Sequence, residues 1–205
     1  MKKIYSVFIL LIFYQISSAQ QWTMVGNAFP AIARGLFFLN TDTGYAVGEG
    51  GYISKTTDGG VTWTPQTSGV TDALRSVFFV NDTLGYISGG VLGVSGRFLK
   101  TIDGGATWSP MTFGTSLIRA VNFISPDTGL LAGSAGTIYK TTDGGTTWNS
   151  ISLGITGDVI QLRMSDANIG YAVAAKNTFD SGRVFNSVAF CHVARQPLAQ
   201  EGCLA

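Results

Sequence analysis

The segment Lys55–Trp63 reads KTTDGGVTW, and it returns as KTIDGGATW at Lys100–Trp108 and as KTTDGGTTW at Lys140–Trp148. A nine-residue string kept three times makes the chain an array of one supersecondary unit. Trp63 and Trp108 are 45 residues apart, and Trp108 and Trp148 are 40 apart. Periods of about 40–45 residues built from short strands and glycine turns belong to β-propeller blades. The expected fold is therefore all-β, a propeller of four-stranded blades.

Each unit repeats one order of elements. In the second, Arg75–Phe79 is an apolar strand, Asn81-Asp82-Thr83 a polar turn, Leu84–Gly89 a second strand and Gly96–Thr101 a third. Asp103-Gly104-Gly105 then reverses the chain into a fourth strand that begins at Thr107-Trp108. Asp-Gly between two strand runs is a strong hairpin signal, because glycine accepts the positive φ the turn requires. The other units align on Gly44-Tyr45, Gly129-Leu130 and Gly170-Tyr171. Near-continuous apolar first strands, Leu36–Leu39, Val77–Val80 and Val121–Ile124, suit an innermost position packed on both sides.

The ends of the chain read differently. Lys2 and Lys3 precede an apolar run from Ile4 to Ile16, and Ser17-Ser18-Ala19 supplies small residues before Gln20. Residues 1–19 are therefore expected to be a secretory signal peptide, which makes the protein secreted or periplasmic. The run is shorter than the roughly 20 residues a membrane helix needs, so no stable membrane insertion is expected after cleavage. Without that segment, 11 basic residues face 12 acidic ones. A chain so close to neutral offers no general attraction to nucleic acid.

Blades are expected over 20–187, with repeats at about 22–62, 63–107, 108–147 and 148–187. Gln21-Trp22-Thr23 sits twelve residues before Arg34, as Thr62-Trp63-Thr64 sits twelve before Arg75. It reads as an outer strand that would complete the last blade and remove a free edge. Residues 188–205 diverge: after Ser187 the chain carries no Asp-Gly-Gly turn and no tryptophan, and it holds His192, Cys191 and Cys203. We read this tail as a foreign, truncated or frame-shifted end, against a natural tail that caps the last blade. The two cysteines could pair in an oxidising compartment.

The pattern Thr-x-Asp-x-Gly-x-Thr-Trp at Thr56–Trp63, Thr101–Trp108 and Thr141–Trp148 resembles the Asp-box, or bacterial neuraminidase repeat. The resemblance gives Asp58, Asp103 and Asp143 a structural role in holding turn amides. It gives Trp63, Trp108 and Trp148 one in packing between blades. The fuller unit joins R-x-V/L-x-F, N/S-x-D-T-G-Y/L and G-x-I-x-K-T-T-D-G-G-x-T-W. It is most similar to the photosystem II stability and assembly factor family, a seven-bladed non-enzymatic propeller. About four of seven blades are present, so the resemblance implies an incomplete ring. It also implies a non-catalytic scaffold that binds a protein or peptide on its channel face. The other reading is a sialidase-like or other glycan-active or glycan-binding Asp-box propeller.

The residues favour the scaffold. Glycoside hydrolysis needs paired carboxylates, yet Glu49 and Glu201 are the only glutamates. Asp42, Asp82 and Asp127 recur in one turn as Asp58, Asp103 and Asp143 do in another, so they serve the repeat. His192 stands alone, and a lone Asp before Gly-Gly supplies too few oxygens for calcium. No catalytic residue, metal or cofactor is expected. Lys55, Lys100 and Lys140 are in register and read as solvated edge charges. Arg34, Arg75 and Arg119 begin equivalent inner strands, while Ile160 takes the matching place in the fourth unit. Either each pairs with a carboxylate such as Asp72 or Asp158, or together they form a basic rim for an acidic peptide. The family resemblance implies an arginine patch at these three positions.

Overall fold

The computed structural model describes residues 30–152, 157–166, 169–180, 183–194 and 203–204, and from Ala175 onward the backbone alone. The expected signal peptide and the strand around Trp22 lie outside the described residues. Four antiparallel sheets of four strands follow one another, each a simple meander. The first holds β1 (Ala33–Phe38), β2 (Gly44–Gly48), β3 (Ile53–Thr56) and β4 (Thr64–Gln66). The second holds β5 (Leu74–Phe79), β6 (Gly85–Val91), β7 (Ser95–Thr101) and β8 (Ser109–Phe113). The third holds β9 (Ile118–Phe123), β10 (Gly129–Gly133), β11 (Thr137–Thr141) and β12 (Asn149–Ser152). The fourth holds β13 (Asp158–Met164), β14 (Ile169–Asp180), β15 (Arg183–Ala194) and β16 (Cys203–Leu204). These are propeller blades.

The repeat spans and the sheets are offset, as a fourth strand beginning at each tryptophan implies. Cuts at 62/63, 107/108 and 147/148 fall inside the β3–β4, β7–β8 and β11–β12 hairpins, so each of the first three sheets straddles a cut. Hydrogen bonding follows the hairpin, and the strand after each tryptophan stays with the blade before it. The fourth sheet also continues past Ser187. β14 and β15 stay in register from Asp180↔Arg183 to Ile169↔Ala194, because no Asp-Gly-Gly turn interrupts the β-forming run Val188–Val193. β16 sets Cys203 opposite Cys191 in the backbone register.

The repeated glycine–aromatic pair explains how blades join. A Cβ at Gly85 would lie 2.4 Å from the Phe79 ring, so only glycine lets that ring cross the second strand. The next residue faces the neighbouring blade. Tyr45 stacks on Phe79 with centroids 3.8 Å apart, and Tyr86 stacks on Phe123 at 3.7 Å. The core is accordingly three clusters, one between each successive pair of sheets. Burying a side chain such as Phe79 contributes about 1.5–3 kcal/mol.

The expectation of a buried first strand holds for β5 and β9 and fails for β1. Leu36 is 63 % exposed, whereas its counterparts Val77 and Val121 are 6 % and 5 % exposed. Among the described residues no blade precedes the first one, and burial of a first strand is supplied by that neighbour.

Candidate functional site

One end of the blades carries the Asp-box turns. Asp58 accepts hydrogen bonds from the Thr62 amide at 2.9 Å, the Thr62 hydroxyl at 2.6 Å and the Thr56 hydroxyl at 2.8 Å. Asp103 and Asp143 repeat the pattern with Thr107 and Thr101, and with Thr147 and Thr141. These bonds, led by the threonine hydroxyl, hold each carboxyl at about 2, well below the ordinary range. All the acceptor capacity points into the turn, an arrangement suited to scaffolding. Trp63 and Trp148 donate to Gly60 and Gly145 of their own turns at 3.0 and 3.1 Å. Trp108 donates instead to Gln66 of the first blade at 3.4 Å.

The in-register lysines correct their sequence reading. Lys55 donates to the Gly104 carbonyl at 3.0 Å and lies over the Tyr45 ring, while Lys100 does the same with Gly144 at 2.9 Å and Tyr86. Each straps its blade to the Asp-box turn of the next one. Short-range sequence reading sees an edge charge, because the carbonyl that captures it is supplied from about one repeat away.

The opposite end carries the arginines. Arg34, Arg75 and Arg119 are the second residues of β1, β5 and β9, and Ile160 is the third of β13. Each falls at a register shift: between Ala33 and Gly35, between Leu74 and Ser76, opposite the Ala132/Gly133 step, and between Val159 and Gln161. A bulge leaves one residue out of the ladder and re-aims its side chain. Those four residues and Ala33 line one open cleft of about 360 Å³. The structure thus brings together the three arginines singled out in the sequence, with the isoleucine interruption in place.

A glycine whose role the sequence reading passed over helps to build each of the first three bulges. Gly48 and Gly133 end their second strands and Gly89 holds the same place inside β6; a Cβ there would meet the carbonyl of Ile32, Leu117 or Ala73 at 2.0–2.2 Å. The amide after each glycine donates to that same carbonyl. The signal was present as a constant offset, each glycine standing four residues beyond Gly44, Gly85 or Gly129.

The three arginines differ in their partners. Arg34 forms an ion pair with Glu49, and Arg119 pairs with Asp158 at 2.6 Å. Asp72, an expected partner for the rim, is taken by Arg97 of β7. Among the described residues no carboxylate forms an ion pair with Arg75, whose Nε is buried without a hydrogen-bond partner. Burial, followed by repulsion from Arg34 and Arg119, lowers its pKa from the usual arginine value. An anion in the cleft would offset that repulsion. No cluster of three His, Cys, Asp or Glu able to hold a metal occurs among the described residues.

Comparison with known proteins follows the same lines. The family profile described as Photosynthesis system II assembly factor YCF48 matches residues 14–183. Among solved structures, YCF48 bound to D1 peptide superposes with a TM-score of 0.58 at 23 % identity, covering 82 % of this chain and 54 % of that one. YCF48 from Cyanidioschyzon merolae gives 0.55 at 20 % identity, covering 82 % and 66 %. The chain thus spans about half to two thirds of the length of these two proteins. The GH74 enzyme of Niastella koreensis gives 0.58 at 20 % identity, covering 77 % of this chain and 28 % of that one. No protein with a curated description matches.

Proposed function

This chain belongs to the photosystem II assembly factor YCF48 family, and we propose that it is a secreted, non-catalytic scaffold that binds an acidic peptide segment. The cleft of Arg34, Arg75 and Arg119 is the binding site. The observation that carries this reading is the unequal pairing of three equivalent arginines. Glu49 and Asp158 occupy the two outer ones, and the central Arg75 lines the cleft with a buried Nε that makes no hydrogen bond. A carboxylate can accept from a guanidinium bidentately, so an acidic side chain or a chain terminus fits that position. A relative solved with a peptide bound supports a peptide as the ligand class. The Lys2-Lys3 and Ile4–Ile16 leader supports export.

Titration of a dye-labelled acidic peptide at rising salt tests the reading. The native protein binds with an affinity that falls as salt rises, and Arg75→Ala binds at least about tenfold more weakly while melting normally. Unchanged binding by Arg75→Ala would sink it. The similarity to a GH74 enzyme favours a second reading, a glycan-active propeller. Turnover of fluorogenic sialosides or of β-glucans by the pure protein would establish that instead.

A further inference from the structure

The second blade departs from its neighbours beside the arginine cleft. From Gly89 to Thr101 is 12 positions, against 8 from Gly48 to Thr56 and 8 from Gly133 to Thr141. In the first and third blades the second and third strands join through short 3-10 turns, Glu49–Gly51 and Ser134–Gly136. In the second blade β6 and β7 run on as a ladder to the pair Val91↔Ser95, closed by the Val94 amide donating to Val91 at 3.0 Å. The added residues form a finger, and its tip is apolar: Val91, Leu92 and Val94 are 40 %, 61 % and 68 % exposed.

The finger's position follows from the register. Gly89 of β6 stands opposite Leu74, the residue before Arg75. Val91 lies two residues further along, so the tip begins about 7 Å beyond the arginine level and one strand, about 5 Å, outward from it. Arg97, which faces Gly89 from β7, lines an open groove of about 720 Å³ at the foot of the finger. Gly50, Gly51, Gln66 and Thr112 also line it. Cationic cleft, apolar finger tip and open groove therefore lie at the same end of the blades.

We propose that the finger is a specificity element that reads apolar side chains flanking the acidic group of an extended peptide held in the arginine cleft. The inference rests on the peptide-binding reading above. Charge complementarity fixes the occupant: the carboxylate sits at Arg75, and the chain leaving it passes the finger at a distance of two or three residues. Leu92 and Val94 would gain burial that the folded chain alone does not give them.

The test uses two dye-labelled peptides with identical acidic residues, one flanked by leucine and valine and the other by serine. Native protein, a Leu92→Ser/Val94→Ser variant and Arg75→Ala are titrated with each. Native protein should bind the apolar peptide about tenfold more tightly, a preference of ordinary size for burying two aliphatic side chains. The finger variant should melt like native protein and bind both peptides with the affinity native protein shows for the serine peptide. Arg75→Ala should lose affinity for both. Equal binding of the two peptides by native protein, or a preference that survives in the finger variant, overturns the finger's role and leaves the cleft reading intact. Binding of neither peptide overturns both. Finger-dependent binding to phosphatidylcholine–phosphatidylglycerol vesicles without any peptide preference also overturns it, and would make the tip a membrane contact.

Discussion

Phe38 and Phe79 occupy the same place in successive blades, each crossing a glycine that opens the second strand. Their environments are nevertheless opposite. Phe79 is 2 % exposed, between the Tyr45 ring and the edge of Trp108, whereas Phe38 is 41 % exposed with Trp63 beside it. The repeat writes the same side chain twice, and the neighbouring blade alone decides whether it becomes core. The first and second blades therefore separate what the motif does locally from what stacking adds.

The largest effect should come from the aromatic pair. Phe79→Ala should cost about 3–5 kcal/mol, and Phe38→Ala about 1 kcal/mol, read from urea unfolding midpoints at constant m-value. Equal losses would break the comparison and mean that the first blade is covered on that side in the folded protein.

The Asp-box turns should show no such asymmetry, because their hydrogen bonds are local. A carboxyl held at about 2 when folded, against 3.8 ordinarily, stabilises the fold above the ordinary value. That contribution fades as pH falls from 3.8 towards 2. Asp58→Asn and Asp103→Asn should therefore flatten the acid side of the stability–pH curve equally. A larger change for Asp103→Asn would show that stacking also acts on the turn.

The lysine straps sharpen the comparison on the side that both blades share. Lys55→Met and Lys100→Met should each cost about 1 kcal/mol, the worth of one hydrogen bond with a ring contact. A negligible cost for Lys55→Met, measured by thermal unfolding, would mean that the first blade docks loosely on both faces.

The smallest effects are expected at the bulged arginines. Arg34→Ala should lose about 0.5 kcal/mol with its half-exposed Glu49 pair. Arg75→Ala should change stability by less than about 0.5 kcal/mol, since its Nε makes no bond to lose. Marked destabilisation by Arg75→Ala would make that residue structural and remove the basis for a ligand site there.

Much of this was written in the sequence because the repeat makes local chemistry visible. The spacing of Trp63, Trp108 and Trp148 marked the blades, and Asp-Gly-Gly marked the hairpins. The common phase of Arg34, Arg75, Arg119 and Ile160 placed them on one rim. The bulges were not legible: the first three arise where a carbonyl approaches Gly48, Gly89 or Gly133, and only the fixed glycine offset hints at them. The pairing of β15 with β14 beyond Ser187 was not legible for a related reason. A missing turn motif reads as the end of the fold, while to a strand it is simply an absence of anything that stops it.

The sequence by itself determined the unit, the all-β class and the residues that converge, since turns and strand alternation depend on near neighbours along the chain. Tertiary structure alone decided which partner each charged group found. Asp72 went to Arg97 rather than to the rim, Lys55 and Lys100 went to carbonyls of the next blade, and Arg75 was left facing the cleft. Tertiary structure also decided which copy of a repeated side chain is buried. Ion pairing and desolvation depend on distances across blades, and those are set by stacking, which no single repeat encodes.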